Sequence, residues 1–265
     1  MVLDSMLKRT YVVIGASRGL GASIIGKCLE HGLNVAGVGR TEEIDIKSIA
    51  EWRRSGRFEY IQMDIGDEDC KDKLRGIIST SNDSPLCVIF NAAVTESDVG
   101  IDGNINFDIF YKTNYTGING LAHTLEAFEN HLTLHGGMLV GISSISAWIP
   151  PTGGSKIAYP ASKAYMDMAL RSLRLLWDKR VHVMTVHLGH ISKDSDSWFI
   201  PGYDAVAQQI VKATLRRHPP ENICMSTIYC ITYSIMRMLP DRVVSIAVKV
   251  ANGLLNRILP GKTLQ

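Results

Sequence analysis

Short, uninterrupted apolar runs alternate along the chain with longer segments whose apolar positions recur at helical spacing. The short runs are Tyr11–Ile14, Val35–Gly39, Phe58–Met63, Cys87–Phe90, Gly137–Ile142 and Val181–Val186. They are apolar throughout rather than alternating, as in strands covered on both faces. Between them, Ala22–His31, Ile44–Arg54, Asp67–Thr80, Phe107–Leu134 and Tyr159–Asp178 read as helices, and Gly32 follows the first as a C-cap. This alternation predicts an α/β fold: a doubly wound parallel sheet with helices on both faces. No repeat, low-complexity tract or linker interrupts it. The chain reads as one domain, with a body over residues 1–218 and a C-terminal extension over 219–265. In the extension, Asn222–Thr227 suits a last strand, and Ile228–Met238 and Asp241–Leu259 suit two apolar helices.

Composition narrows the function class. Of 265 residues, 46% are hydrophobic and 20% charged, which excludes a disordered chain, a collagen and a coiled coil. A net charge of +2 argues against a nucleic-acid binder. That sum hides an asymmetry. Residues 212–265 carry eight basic and two acidic side chains, a net +6, against −4 for residues 1–211. A basic, apolar tail suits a lid over a pocket, a subunit interface or peripheral contact with a membrane surface. Its longest uncharged run, Asn222–Met236, is shorter than the ~20 residues of a spanning helix. No apolar core of signal-peptide length precedes Tyr11. The five cysteines are odd in number and scattered, with no CxxC pair, so neither a disulfide framework nor a metal site is indicated. A cytoplasmic, reducing location is expected.

The first strand runs into Gly15-Ala16-Ser17-Arg18-Gly19-Leu20-Gly21, and a helix follows. Glycines there permit a tight turn and a close approach to a pyrophosphate, while the helix N-terminus favours the anion. The motif's place, from strand to helix in the first βαβ unit, makes this a Rossmann-type dinucleotide site. An NAD site usually sets an acidic residue after the second strand. This chain has Arg40 there, and Arg18 inside the glycine loop. Two guanidiniums suit a ribose 2′-phosphate, so the expected cofactor is NADP(H).

Tyr159-Pro160-Ala161-Ser162-Lys163 sets a phenol and an ammonium on one helix face. The ammonium is expected to lower the phenol's pKa and so fit it for proton transfer. Ser143 and Ser144 end the strand begun at Gly137, Asn91 ends the fourth strand, and Asn114 lies in the long helix after it. Ligands in parallel sheets bind beyond these carboxyl ends.

Over Thr10–Ser192 the chain resembles the short-chain dehydrogenases/reductases, in their shorter, single-domain branch. The resemblance rests on Gly15xxxGly19xGly21, Asp64, Asn91-Ala92-Ala93, Asn114, Ser143-Ser144 and Tyr159xxxLys163, in that order. It implies that Tyr159 is the general acid/base and that Lys163 supports it while holding the nicotinamide ribose. Ser144 would polarise the carbonyl, and Asn114 would support a water-mediated relay to Lys163. Gly15, Ser17, Arg18, Gly19, Leu20, Gly21, Arg40, Asp64, Ile65, Asn91, Ala92, Ala93, Gly189 and Ile191 would join Tyr159 and Lys163 around the cofactor. Departures are Ala93 for a usual Gly, Leu188-Gly189 for Pro-Gly, and Lys193 where a hydroxyl normally follows, with Ser192 beside it. A longer stretch between Ser144 and Tyr159 makes Ser146 a competitor for the serine role.

The implied activity is reversible hydride transfer between NADPH and a carbonyl, in a homodimer or homotetramer acting on a small molecule. Trp148, Ile149 and Pro150, with His190, Trp198, Phe199 and Tyr203 after the sixth strand, suggest apolar walls for a lipophilic or ring-bearing ketone. The alternatives are an NADP-binding scaffold or redox sensor without catalysis, and an epimerase or dehydratase on the same fold.

Overall fold

The computed structural model describes residues 9–42, 53–54, 56–79, 83–149, 156–193 and 200–225, with isolated positions between 231 and 246. Its strands are β1 (Thr10–Ile14), β2 (Asn34–Gly39), β3 (Phe58–Gln62), β4 (Leu86–Phe90), β5 (Gly137–Ser144), β6 (His182–Leu188) and β7 (Asn222–Cys224). They form one parallel sheet in the order β3-β2-β1-β4-β5-β6-β7. The expected strands are all present, with ends shifted by one to three residues. β7 brings the start of the C-terminal segment into the sheet, beside β6. The two apolar helices expected beyond it lie outside the described residues, apart from a few scattered positions.

The helices are α1 (Gly19–Glu30), α2 (Cys70–Ser79), α3 (Phe107–Asn114), α4 (Gly120–His135), α5 (Ala158–Trp177) and α6 (Tyr203–Thr214). Of the expected helix Ile44–Arg54, only the helical Arg53 and Arg54 are described. Helix α6 was not among the expected elements, although Val206, Ala207, Ile210 and Val211 form its buried stripe. Helix α1 ends as its Gly predicts. Gly32 takes φ +73°. Its N–H donates to Leu29 O at 2.9 Å, and Leu33 N–H to Cys28 O at 3.1 Å. That pair of bonds is a Schellman motif. The single long helix expected over Phe107–Leu134 is instead α3 and α4 joined by a π-helical turn, Tyr115–Asn119. Such turns occur mostly as single-turn insertions within α-helices, frequently at functional sites.

Both faces of the sheet are covered. Tyr11 and Val13 of β1 pack with α1 and α6, while Val12 and Ile14 pack with α2, α4 and α5. This explains the unbroken apolar runs: each strand residue has a dry neighbour above or below. The buried Ile24 and Ile25 each contribute about 1.5–3 kcal/mol on leaving water. The Tyr11 hydroxyl pairs with Thr214 Oγ1 at 3.0 Å, tying β1 to the end of α6. Cys28, Cys70 and Cys87 are free and buried. Cys224 is disulfide-bonded, contrary to the expectation from scattered spacing; its partner lies outside the described residues.

The β1/β4 neighbours are where the strand order reverses, and their carboxyl ends, Ile14 and Phe90, lie level with one another. A crevice opens at such a switch point.

Candidate active site

A cavity of about 920 Å³ lies along the carboxyl ends of β1, β2, β4, β5 and β6. Its floor is shaped by absent side chains. Gly15 has φ +85°, and a Cβ there would lie 2.6 Å from the Ala92 backbone. A Cβ on Gly21 would lie 2.0 Å from Gly15 O, itself fixed by the Asn91 Nδ2 donor at 2.8 Å. The glycine turn and the end of β4 therefore interlock, and only glycine fits at either position. The first turn of α1 contains no acidic residue, and its N-cap, Arg18, is extended with no side-chain cap. The exposed N–H groups and the dipole there suit an anion.

Ser17, Arg18, Gly19, Leu20, Arg40, Asp64, Ile65, Asn91, Ala92 and Ala93 line this end of the cavity with Gly15. Gly21 does not line it; its role is the close packing just described. The Arg40 guanidinium is part-exposed and lies 3.7 Å from Asp64 Oδ2. Asp64 Oδ1 accepts the Gly66 N–H at 3.0 Å, a local turn that orients the carboxylate.

At the other end, Tyr159 and Lys163 project from α5. The helix starts where it does because Asp98 caps it. The Asp98 carboxylate accepts the Ile157 N–H at 2.8 Å and the Ala158 N–H at 2.7 Å. Asp98 is buried and sixty residues away in sequence, and no local signal marks it as a cap. Lys163 is buried and donates to Ile142 O at 2.7 Å, joining α5 to β5. Burial brings the Lys163 ammonium down to about 8, with Asp167 acting in the opposite direction. The Lys163 Nζ lies 5.8 Å from the Tyr159 ring centroid.

Burial pushes the Tyr159 phenol up, and a hydrogen bond with Ser144 acts against it. The direction is opposite to the lowered phenol expected: desolvation of the phenolate outweighs the Ser144 hydrogen bond. Ser144 also accepts the Ser146 N–H at 3.1 Å, capping the short turn Ile145–Ala147. Ser146 is thus a donor to Ser144 through its backbone. Ser143 lines the cavity, whereas Ser144 reaches it through Tyr159. Asn114 stands at the junction of α3 and the π turn, and Thr116 of that turn lines the cavity.

Behind this site is a polar cluster that the sequence did not reveal. Asp167 Oδ2 accepts from Trp148 Nε1 and from His187 Nε2, each at 3.0 Å. The Trp148 and His187 rings stack with centroids 4.5 Å apart. Burial alone would raise the Asp167 carboxyl, but His187, Ser143 and Trp148 hold it below its ordinary value. Trp148 is therefore a brace rather than the pocket wall it was expected to form. Ile149 is buried in packing. Pro150, Trp198 and Phe199 lie outside the described residues. His190 and Tyr203 do line the cavity, as do Leu188, Gly189, Ile191 and Lys193. Ser192 is turned to the chain, its N–H donating to Pro201 O at 3.3 Å. Lys156, Thr95 and Asp204 line the cavity without having been marked in the sequence.

Residues 9–198 match the family described as short chain dehydrogenase. The chain belongs to that family. Among curated proteins it is 31% identical over 178 residues to a fatty acyl-CoA reductase of Acinetobacter baylyi, covering 64% of this chain and 58% of that one. It is 27% identical over 183 residues to a serine 3-dehydrogenase of Agrobacterium fabrum, covering 68% and 71%. It also matches tenellin synthetase of Beauveria bassiana at 27% identity over 188 residues, 69% of this chain but 4% of that protein. Among solved structures, a short-chain dehydrogenase from Streptomyces avermitilis superimposes with a TM-score of 0.70 at 17% identity, covering 97% and 98% of the two chains. The closed form of a serine dehydrogenase complexed with NADP+ gives 0.68 at 15%, covering 82% and 94%. These likenesses agree with the seven-stranded fold. The chain spans between 4% and 58% of the length of the first curated relatives it matches. Among the described residues, no helix is long and apolar enough to cross a membrane.

Proposed function

We propose that the protein is an NADP(H)-dependent reductase of ketones or aldehydes, yielding secondary or primary alcohols. One observation carries the reading. A single cavity joins the glycine turn with Arg18 and Arg40 at one end to Tyr159 and Lys163 at the other. A dinucleotide laid between them meets a phosphate cradle and two guanidiniums first, and a proton donor last. The serine dehydrogenase structure complexed with NADP+ supports this choice of cofactor.

When bound, NADPH supplies the hydride that adds to the carbonyl carbon. Ser144 and Tyr159 orient and polarise the carbonyl oxygen. Tyr159 gives its proton to that oxygen, and its raised phenol holds the proton until the alkoxide forms. Lys163, fixed on Ile142 O, places its charge beside the phenolate left behind. Asn114, at the π turn, supports a water path returning a proton to Lys163. Gly189 and Ile191 border the nicotinamide. A homodimer or homotetramer is the assembly proposed, in line with the family. The deciding experiment compares kcat/KM for NADPH and NADH over a panel of carbonyl compounds, with Tyr159→Phe as control. Preference for NADPH, with turnover lost and NADPH binding kept in the variant, supports the proposal. NADH preference or full activity of the variant overturns it.

A further inference from the structure

Lys156 lines the substrate end of the cavity, and its Nζ lies 5.7 Å from the Tyr159 ring centroid. Among the described residues its ammonium has no hydrogen-bond or ion-pair partner. The carboxylate that faces it most nearly, Asp98, already accepts two backbone N–H groups at the start of α5. Burial lowers the Lys156 ammonium, with Asp98 acting against the shift. Half-buried charges are normally paired, because their lost hydration is otherwise uncompensated. A second cation, Lys163, lies on Tyr159 at almost the same distance, but it is buried and bonded to Ile142 O. The phenol ring thus has one bonded ammonium and one without a bonded partner among the described residues at nearly equal distances. Among the described residues the cavity has two lining carboxylates, Asp64 after β3 and Asp204 at the start of α6.

We infer that Lys156 is a specificity residue that pairs with an anionic group on the substrate, a carboxylate or a phosphate, carried a few bonds from the reacting carbonyl. The inference rests on Tyr159 marking where the carbonyl sits. An ammonium so close to the phenol ring reaches a group attached near that carbonyl, and the anion supplies the partner the protein withholds. A charged, compact substrate replaces the lipophilic ketone that the aromatic residues of the sequence suggested. Trp148, stacked on His187 and bonded to Asp167, does not line the cavity.

The test sets charged compounds against uncharged counterparts: acetoacetate against methyl acetoacetate, and dihydroxyacetone phosphate against dihydroxyacetone. The wild-type enzyme with NADPH is expected to favour the charged member of at least one pair in kcat/KM by about ten-fold or more, as for a charge-assisted hydrogen bond. The pair that shows the preference identifies the anion as carboxylate or phosphate. Lys156→Met should collapse the ratio, and Lys156→Arg should keep most of it. Equal or better use of the neutral members overturns the inference. So does a Lys156→Met enzyme that keeps the charged preference, the outcome if Lys156 only tunes Tyr159. If no compound turns over, calorimetric titration of the wild-type and Lys156→Met proteins with the same charged compounds decides. Binding that depends on Lys156 upholds the anion site while the reductase reading fails. Absence of binding to the wild type overturns the anion site.

Discussion

Asp98 accepts the Ala158 N–H at 2.7 Å, one residue before Tyr159, so a buried carboxylate sixty positions upstream sets the first turn of α5. Asp98→Ala leaves two N–H groups without their acceptor. Loss of an N-cap costs about 0.5–2 kcal/mol, and buried orphan donors place this site at the upper end. Urea denaturation should show a lowered midpoint at unchanged m. Turnover should fall by more than the folded fraction does, because Tyr159 loses its fixed start. Asp98→Asn, which still offers one acceptor, should retain part of both.

The interlock of glycine turn and β4 gives a second expectation. Gly21→Ala drives a Cβ into Gly15 O, a backbone atom that cannot rotate away. The variant should lose cofactor affinity, seen as a weakened NADPH fluorescence response, and should be destabilised by about 1–3 kcal/mol, the usual cost of overpacking. Gly76→Ala, on α2 with open space around it, serves as the contrasting control and should be neutral or slightly stabilising.

Lys163 makes stability depend on alkaline pH with a defined sign. Its folded pKa, about 8, is below the 10.5 of the unfolded chain. Between those values the unfolded state holds more protons, so stability rises with pH across that window. Below pH 8 the protein bears the full penalty, on the order of 3 kcal/mol. The stability difference between wild type and Lys163→Met, measured by chemical denaturation, should therefore move in favour of the wild type from pH 8 to pH 10. A flat difference would show that Lys163 keeps its ordinary affinity for protons.

Arg40 is part-exposed and only loosely placed against Asp64, so its charge is available to a ligand. Arg40→Ser should lower the NADPH-to-NADH ratio of kcat/KM by about ten-fold or more, since a guanidinium–phosphate pair is lost. Adding Arg18→Ser should lower it further. An unchanged ratio in the double variant would assign the cofactor preference to other residues.

Much of the architecture was legible because burial on two faces leaves unbroken apolar runs, and because Gly32 and the glycine turn mark element ends by backbone conformation. The Tyr159–Lys163 pair was legible through its helical spacing. Other parts depend on contacts that sequence order does not display. Asp98 meets α5 only through the fold, and Asp167 meets His187 and Trp148 only once α5, β6 and the turn after β5 are assembled. Trp148 illustrates the cost of reading residue type without orientation: an aromatic beside the serine strand suggested a pocket wall, but its N–H is drawn to a buried carboxylate. The raised Tyr159 phenol was missed for a related reason, since a neighbouring charge is visible in spacing while desolvation is not.

Asp167, His187 and Trp148 do not line the cavity, and Asp98 secures the start of the helix that carries Tyr159 and Lys163. Tyr159 and Lys163 are therefore positioned in part by residues that do not line the cavity. Lys156, Thr95 and His190 can change without loosening that scaffold. Under the proposed function, a few cavity-lining positions could change the substrate while the residues that hold Tyr159 and Lys163 stay as they are.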